Sequence, residues 1–201
     1  PTGLTLRGDT LSVYYGAADT TTCVATGSLK TLMKEILAKP TSRAKLKRHG
    51  KKPILEPITN HPWEKKAVFN PAAIDADGTV RILYRAMGDD DTSVLGYAES
   101  KDAIHITRRL PNPVYVPRAP FEIKQSSGNS GCEDPRLTQF DDTYYMLYTA
   151  VDTIGPPRVA LSTISVSDFL AYRFDRFTHP VLISQPGIDD KDACLFPEKI
   201  N

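Results

Sequence analysis

Alternating apolar and polar positions recur in three related passages of the chain. The passages begin at Gly8, Ala76 and Asp141, and each opens with an acidic or glycine turn. An alternating strand that ends in an aromatic residue follows, and a second alternating strand comes after a small or polar tract. A two-residue period bounded by turn residues is typical of antiparallel pairs, so the pattern predicts three β-hairpins.

The hairpins recur at nearly constant spacing. Tyr15, Tyr84 and Tyr148 occupy equivalent positions and are separated by 69 and 64 residues. The gaps hold proline-rich extended sequence such as LPNPVYVPRAPFEI, whereas a βαβ fold would need a helix in each gap. Sixteen prolines also favour edge strands and turns over helices. The sequence therefore predicts an all-β chain, either propeller blades or a sandwich.

One helix is predicted, over SLKTLMKEILAK. Ser28 can cap its start, and an apolar stripe at helical spacing follows. The members of the stripe are Leu29, Leu32, Met33, Ile36 and Leu37. The next run, PTSRAKLKRHGKK, is basic and rich in turn residues, which is typical of a solvated connection. We therefore expect a first unit over residues 1–38, a linker over 39–56 and a second unit over 57–201.

Composition excludes several classes of protein. The 201 residues carry 25 basic and 24 acidic side chains, without the basic excess of nucleic-acid-binding proteins. No apolar run approaches the length of a membrane span, and the given sequence does not open with a charged n-region followed by an apolar h-region. The three cysteines and four histidines lack metal-ligand spacing, so neither a metal site nor a disulfide framework is predicted. Because the chain starts at Pro1 and stops at Asn201 without a polar tail, we expect a segment of a longer protein.

Four short stretches carry more polar chemistry than their setting explains. Asn70 precedes a proline in VFNPAAI, which predicts an extended residue whose amide projects from a strand end. Arg85 ends the apolar strand of LYRAM, where a guanidinium is costly to bury unless it is paired. The other stretches supply Glu133, Asp134 and Arg136 in GCEDPRLT and Lys191 in DDKDACLFPEK. Each has an ordinary structural explanation, but strand ends of a propeller converge near its axis, where ligand sites form.

Six of these motifs together resemble the first part of glycoside hydrolase family 130: FNPAAI, ILYRA, GYAES, GCEDPRLT, YYMLYTA and DKDACLFPEKI. The passage LSVYYGAADTTTCVATGSL resembles the closing blade of the same family. The resemblance implies an incomplete five-bladed β-propeller, with about two to three blades plus one short helix. Residues 1–38 would then belong to the closing blade, and residues 57–201 to truncated N-terminal blades.

The order of the segments departs from the family, because the closing blade comes first. Either two propellers lie in tandem and the chain spans their junction, or the fold is circularly permuted. The sequence leaves both arrangements open. Since the first and last blades of a closed ring are neighbours, residues 1–38 are expected to dock beside the blade that starts near residue 66.

The resemblance implies an inverting phosphorylase of β-mannosides, which forms mannose 1-phosphate. Asp134 would be the general acid, passing its proton through a sugar hydroxyl, and neighbouring Glu133 together with partial burial would keep it protonated. Inorganic phosphate would be the co-substrate, and no other cofactor is expected. The implied sugar-binding residues are Asn70, Arg85, Glu133 and Asp19, and the implied phosphate-binding residues are Lys191 and Arg136.

Two alternatives stay open at this point. A hydrolase of the same fold would use a second carboxylate as base and would lack phosphate-binding cations, so Lys191 favours phosphorolysis. An incomplete ring with an open edge strand could instead be a non-catalytic carbohydrate-binding fragment. The expected partners are β-linked manno-oligosaccharides and phosphate, without nucleic acid or membrane, and open blade edges are compatible with a homo-oligomer. A cytoplasmic location is expected.

Overall fold

The computed structural model describes residues 3–37 and 46–198, which form one four-stranded sheet and one eight-stranded sheet. The eight-stranded sheet consists of two antiparallel groups of four strands, and the three groups are called the first, second and third sheets below. The first sheet holds β1 (Gly3–Arg7), β2 (Thr10–Ala17), β3 (Thr21–Ser28) and β4 (Lys47–Arg48). The second holds β5 (Ala67–Ala76), β6 (Thr79–Met87), β7 (Thr92–Ser100) and β8 (Ile106–Arg109). The third holds β9 (Ser130–Phe140), β10 (Thr143–Val151), β11 (Arg158–Ser165) and β12 (Val181–Leu182). Two helices, α1 (Leu29–Leu37) and α2 (Val166–Leu170), and two 3-10 turns, Pro120–Glu122 and Phe174–Arg176, complete the described residues.

The three predicted hairpins are confirmed. β2 pairs with β3, β6 with β7, and β10 with β11, all antiparallel and in continuous register. Each sheet is antiparallel throughout, and the second and third are joined by a short parallel pairing of β7 with β9. The alternation of apolar and polar residues therefore predicted both the strands and the pairing of each strand with the next one in the chain.

The sheets pack as neighbouring blades of a propeller. β1, β5 and β9 are their first strands in chain order, and both β1 and β9 contact β5. The backbones of β1 and β5 are so close that a Cβ on Gly3 would come within 2.7 Å of the Ala73 nitrogen. One apolar core fills the space between the first and second sheets, and another fills the space between the second and third. The predicted fold class, an incomplete five-bladed β-propeller, is confirmed.

The first sheet is fastened to the start of the second. The Val68 amide donates to the Thr20 carbonyl at 2.8 Å, and the Thr22 amide donates to Leu55 at 3.0 Å. Leu55 is 3% exposed, so the later part of the predicted linker packs into the core. Lys47–Arg48 adds strand β4 to the sheet. Linker residues 39–45 lie outside the described residues.

Two fully buried carboxylates lie in the segments that precede β5 and β9. Glu64 accepts a hydrogen bond from the Tyr84 hydroxyl at 2.8 Å and forms an ion pair with Arg109. Glu122 accepts from the backbone amides of Arg118 and Ala119 at 2.7 and 2.8 Å. A buried carboxylate is tolerated only when such partners replace water. Glu64 therefore ties the segment before β5 to strands β6 and β8.

Helix α1 begins as the sequence predicts but does not bury its apolar stripe. The Ser28 hydroxyl accepts a hydrogen bond from the Thr31 amide at 3.0 Å, which caps the helix. None of its residues is buried, and Ile36 and Leu37 are 65% and 80% exposed. Within the described part of the chain, no helix has the length and hydropathy that crossing a bilayer requires.

Candidate active site

Four of the polar side chains singled out in the sequence meet at one end of the second and third sheets. β5, β7 and β9 begin at this end and β6 ends there, as the pairings of Ala67 with Met87 and of Ser93 with Gly131 require. The four side chains that come together are those of Asn70, Arg85, Glu133 and Asp134.

Arg85 joins the two carboxylates of this cluster. Its Nη1 donates to Asp134 Oδ1 at 3.2 Å, and its Nη2 donates to Glu133 Oε1 at 2.6 Å. Asn70 donates from Nδ2 to the other Asp134 oxygen, Oδ2, at 3.0 Å. The charged side chains are only 11% to 18% exposed. A guanidinium can be buried to this extent because both of its terminal nitrogens are paired.

The backbone departs from regular strand geometry at two residues of the cluster, Asn70 and Asp134. Asn70 and Asp134 have φ angles of 47° and 51°, in the left-handed region. The β5–β6 and β9–β10 pairings each shift register at these positions, so both residues lie in bulges. The expectation that Asn70 is extended is therefore wrong. A bulge re-aims a side chain, and Asn and Asp tolerate the left-handed region better than most residues.

The environment of Glu133 favours its protonated form. Burial raises the pKa of Glu133 above its ordinary value, and the neighbouring Asp134 carboxylate raises it further. The Arg85 guanidinium, a hydrogen bond from Ser93 and the Lys191 ammonium lower it in part. The cluster therefore holds a carboxyl group that keeps its proton to a higher pH than an exposed glutamate does.

Three residues of the cluster were missed in the sequence. The Ser93 hydroxyl lies between Arg85 and Glu133, and the Phe69 ring lies 4.6 Å below the Arg85 guanidinium carbon. Gly16 of the first sheet leaves room for Asn70. Phe69 and Gly16 lie inside quoted motifs, FNPAAI and LSVYYGAADTTTCVATGSL, but had not been singled out. The signal for Ser93 was the hairpin register, which places it diagonally across from Arg85 on the neighbouring strand.

The two predicted phosphate ligands, Arg136 and Lys191, lie on two segments that run side by side, β9 and the C-terminal segment. Lys191 is exposed on a segment that runs beside β9, where the Thr138 hydroxyl donates to the Leu195 carbonyl at 3.2 Å. Arg136 donates to the Asp134 carbonyl at 3.3 Å and lies 3.5 Å from Asp192. Arg136 thus supports the bulge that carries Asp134, while Lys191 contributes positive charge near the carboxylates.

Asp19 lies at the tip of the β2–β3 hairpin. It is exposed, with a φ angle of 48°. Among the described residues, it has no side-chain hydrogen bond to the four-residue cluster. The carbonyl of neighbouring Thr20 accepts from Val68, two residues before Asn70. The hairpin tip is therefore beside the start of β5, and the role of Asp19 stays a prediction.

Substitution of Gly16 by alanine is expected to displace Asn70. A Cβ at this position would lie 2.2 Å from Asn70 Oδ1 and 3.2 Å from its backbone nitrogen. Because Asn70 would then lose its hydrogen bond to Asp134, we expect the free energy of unfolding to fall by about 1 kcal/mol or more. Urea denaturation checks this, with Gly155→Ala as the control, since a Cβ there meets only Asp152 Oδ1 at 3.8 Å. Equal stabilities of the two variants would contradict the coupling of the first sheet to the cluster.

Comparison with known proteins identifies relatives over most of the chain. A family model described as beta-1,4-mannooligosaccharide phosphorylase matches residues 45–201. A 1,2-beta-oligomannan phosphorylase of Thermoanaerobacter sp. (strain X514) is 35% identical over 164 residues, which are 78% of this chain and 51% of that protein. A beta-1,2-mannobiose phosphorylase of the same strain is 34% identical over 170 residues, 78% of this chain and 52% of that protein. The chain spans about half the length of these curated relatives.

Solved structures agree with both the family and the fold. One is described as showing that the GH130 family of mannoside phosphorylases contains glycoside hydrolases that target beta-1,2 mannosidic linkages in Candida mannan. It is 34% identical, covers 58% of this chain and 37% of its own, and has a TM-score of 0.51. A thermostable family-43 glycoside hydrolase covers 93% of this chain and 53% of its own, with a TM-score of 0.62. At 15% identity, the second likeness concerns the fold alone.

Proposed function

Because the chain belongs to glycoside hydrolase family 130, we propose that the protein carrying it cleaves β-mannosides by inverting phosphorolysis. The products are mannose 1-phosphate and an oligosaccharide shortened by one mannosyl unit. We propose β-1,2-linked mannosides as the substrates, since the two curated relatives are described as phosphorylases of such compounds.

The observation that supports this proposal is the pair of adjacent carboxyl groups held by one guanidinium. Glu133 and Asp134 both accept hydrogen bonds from Arg85, and Asn70 holds the far oxygen of Asp134. Acid catalysis of glycoside cleavage needs a carboxyl group in a fixed position beside the leaving oxygen. Asn70, Arg85 and Glu133 also present polar groups that suit the hydroxyls of a mannosyl unit.

In the proposed reaction, the bond between the anomeric carbon and the glycosidic oxygen breaks. The proton of Asp134 passes through a sugar hydroxyl to that oxygen, which leaves as the hydroxyl of the shortened oligosaccharide. A phosphate oxygen forms the new bond to the anomeric carbon from the opposite face, so the configuration inverts. Asp134 then regains a proton from monohydrogen phosphate or from solvent.

Phosphate binding is assigned in this proposal to Lys191 and Arg136. Inorganic phosphate is a mixture of the monoanion and the dianion at neutral pH, and it needs cations to lie beside two carboxylates. Lys191 is exposed and acts on Glu133 electrostatically, so it can pair with an anion that approaches this side of the cluster. No metal or organic cofactor enters the proposal.

We also propose a cytoplasmic location for the protein, because phosphorolysis conserves bond energy as a sugar phosphate inside the cell.

Hydrolysis is the second candidate. The description of one related structure states that the same family contains glycoside hydrolases. A hydrolase would use water in place of phosphate, with a second carboxylate as base. The two reactions differ in their products, so they can be separated directly.

The test is to incubate the purified protein that contains this chain with β-1,2-mannobiose, with and without inorganic phosphate, and to identify the products by mass. We expect mannose 1-phosphate only when phosphate is present. Free mannose formed equally in both tubes would replace phosphorolysis with hydrolysis. Absence of any product, also with β-1,4-mannobiose, would favour a carbohydrate-binding role.

The same assay examines Lys191. In Lys191→Gln, we expect KM for phosphate to rise about tenfold while KM for mannobiose stays within about twofold. The reason is that loss of a cation weakens the binding of the phosphate anion and leaves the binding of the uncharged sugar unchanged. Lys30→Gln, an exposed lysine on α1, is the matched control for a change in net charge. An unchanged KM for phosphate would remove Lys191 from the phosphate site.

A further inference from the structure

Ser93 is a buried hydroxyl at the centre of the charged cluster. The residue is 0% exposed and lies near the start of β7. Its Oγ accepts a hydrogen bond from Arg85 Nε at 3.0 Å and donates to Glu133 Oε1 at 3.3 Å. No motif singled out in the sequence contains it. A buried polar group so placed either serves packing alone or holds its two partners in position.

We propose that Ser93 is a positioning residue, whose hydroxyl sets the rotation of the Arg85 guanidinium and thereby the placement of the Asp134 and Glu133 carboxyl groups. The proposal rests on the function proposed above, since it assigns Ser93 to the same reaction. Ser93 acts through Arg85 and Glu133 and is not itself assigned a contact with substrate.

Ser93 is needed as a positioning residue because the two terminal nitrogens of the Arg85 guanidinium, called the fork below, bind different carboxylates. A guanidinium frequently donates two parallel hydrogen bonds to the oxygens of one carboxylate. Here Nη1 and Nη2 go to different carboxylates, and Phe69 covers one face of the fork. The Nε contact with Ser93 is the third point that keeps the fork between its partners. Without it, the fork can rotate onto one carboxylate and leave the other without its donor.

Ser93 is suited to this task because two sheets hold its backbone. It pairs with Met87 on β6 and with Gly131 on β9, across the junction of the second and third sheets. Gly131 has a φ angle of 105°, and a Cβ there would lie 2.1 Å from the Ser93 carbonyl oxygen. This close approach needs glycine. The hydroxyl is therefore placed by the same strands that carry Arg85 and Glu133.

Ser93 also belongs to the charge environment of Glu133. The groups that face this carboxyl are Arg85 from β6, Asp134 on its own strand, Lys191 from the C-terminal segment and the Ser93 hydroxyl from β7. Burial raises the pKa of Glu133, and the hydrogen bond from Ser93 lowers it. Loss of the hydroxyl is thus expected to raise this pKa further, which moves any Glu133-dependent limb of the pH–rate profile to higher pH.

The test compares Ser93→Ala and Ser93→Cys with Ser100→Ala in the complete protein. Ser100 is also 0% exposed and lies at the other end of β7, where it donates to Asp102 at 3.0 Å. We expect kcat to fall about tenfold in Ser93→Ala, with the shifted pH profile, and to stay within about twofold in Ser100→Ala. Ser93→Cys fills the space with a weak hydrogen-bonding group and is expected to behave like Ser93→Ala. Wild-type kcat and pH profile in Ser93→Ala, or full recovery in Ser93→Cys, would overturn the proposal.

A second readout does not depend on activity. In protein labelled with ¹⁵N-arginine, the Arg85 Nε–H signal, assigned through Arg85→Lys, should exchange slowly with water. We expect this protection to be lost in Ser93→Ala and kept in Ser100→Ala. Unchanged protection in Ser93→Ala would refute the positioning role even in a protein without phosphorolysis. Lost protection in such an inactive protein would leave the Ser93–Arg85 coupling supported and the proposed function refuted.

Discussion

Replacing Asp134 with asparagine is expected to lower kcat for mannobiose by about 10³-fold, because a general acid, the role proposed for Asp134, contributes factors of about 10² to 10⁴. Asparagine keeps the size and shape of the side chain, and it tolerates the left-handed backbone that position 134 requires. What it lacks is the transferable proton. We therefore expect binding of mannobiose, measured by titration calorimetry, to change only a few-fold while product formation disappears.

The control for this substitution is Asp141→Asn. Asp141 also has a left-handed backbone, with a φ angle of 48°, but it follows the opposite end of β9 and is exposed. Its replacement should leave kcat unchanged. Full activity in Asp134→Asn would refute the assignment of the acid.

Glu133→Gln distinguishes the two carboxyl groups. Burial raises the pKa of Glu133, so this residue is the competing candidate for a proton donor. In our proposal it binds sugar, and its replacement is expected to weaken binding as well as turnover. A loss confined to kcat in Glu133→Gln, with activity retained in Asp134→Asn, would transfer the acid role to Glu133.

Local patterns predicted the strands because period-2 alternation reports burial on one face of a sheet. The three hairpins, the capped helix start at Ser28 and the strand-end position of Arg85 all follow from signals within a few residues. Local signals also predicted that Asn70 and Asp134 lie near the ends of strands. They did not predict the left-handed backbone of either residue, since a bulge depends on the register of the partner strand.

Burial of polar groups could not be predicted from local patterns. Glu64 and Glu122 look like ordinary surface acids in the sequence, yet both are fully buried. Each has a partner that is distant in sequence, Arg109 for Glu64 and the Tyr148 hydroxyl for Glu122. For α1 the prediction failed in the other direction. Its apolar stripe predicted a buried face, but no residue of α1 is buried among the described residues. Ser93 belongs to the first class, because nothing adjacent in sequence marks its hydroxyl as buried.

Removal of Arg85 is expected to have the largest effect on stability. Arg85→Ala leaves Glu133 and Asp134 side by side, with their side chains only 15% and 18% exposed and without the cation that neutralises them. Breaking a buried ion pair by deleting one partner typically costs about 3–5 kcal/mol. We expect a loss of this size in the free energy of unfolding near pH 7.5, measured by urea denaturation. Arg173→Ala provides the comparison, because Arg173 is 53% exposed and its pair with Asp168 is expected to contribute less than about 1 kcal/mol.

The loss should depend on pH, with a sign that follows from Glu133. Burial already raises the pKa of Glu133 in the folded protein, and Arg85 is the main group that lowers it. Without Arg85, the folded protein binds this proton more tightly than the unfolded chain, whose glutamate titrates near about 4.3. The stability of Arg85→Ala relative to the wild-type protein should therefore fall as pH rises through and above that value, and recover towards pH 4.

The double variant Arg85→Ala/Glu133→Gln separates unpaired charge from lost packing. Glutamine removes the ionisable group that Arg85 would have neutralised, so part of the lost stability should return at pH 7.5 and the pH dependence should weaken. If the deficit of Arg85→Ala is the same at pH 4 and pH 7.5, and glutamine restores nothing, then Arg85 stabilises the blades through its packing on Phe69 instead. The ion pairs of Arg85 with Glu133 and Asp134 would then contribute little to the stability of the fold, and their arrangement would have to be explained by the proposed function alone.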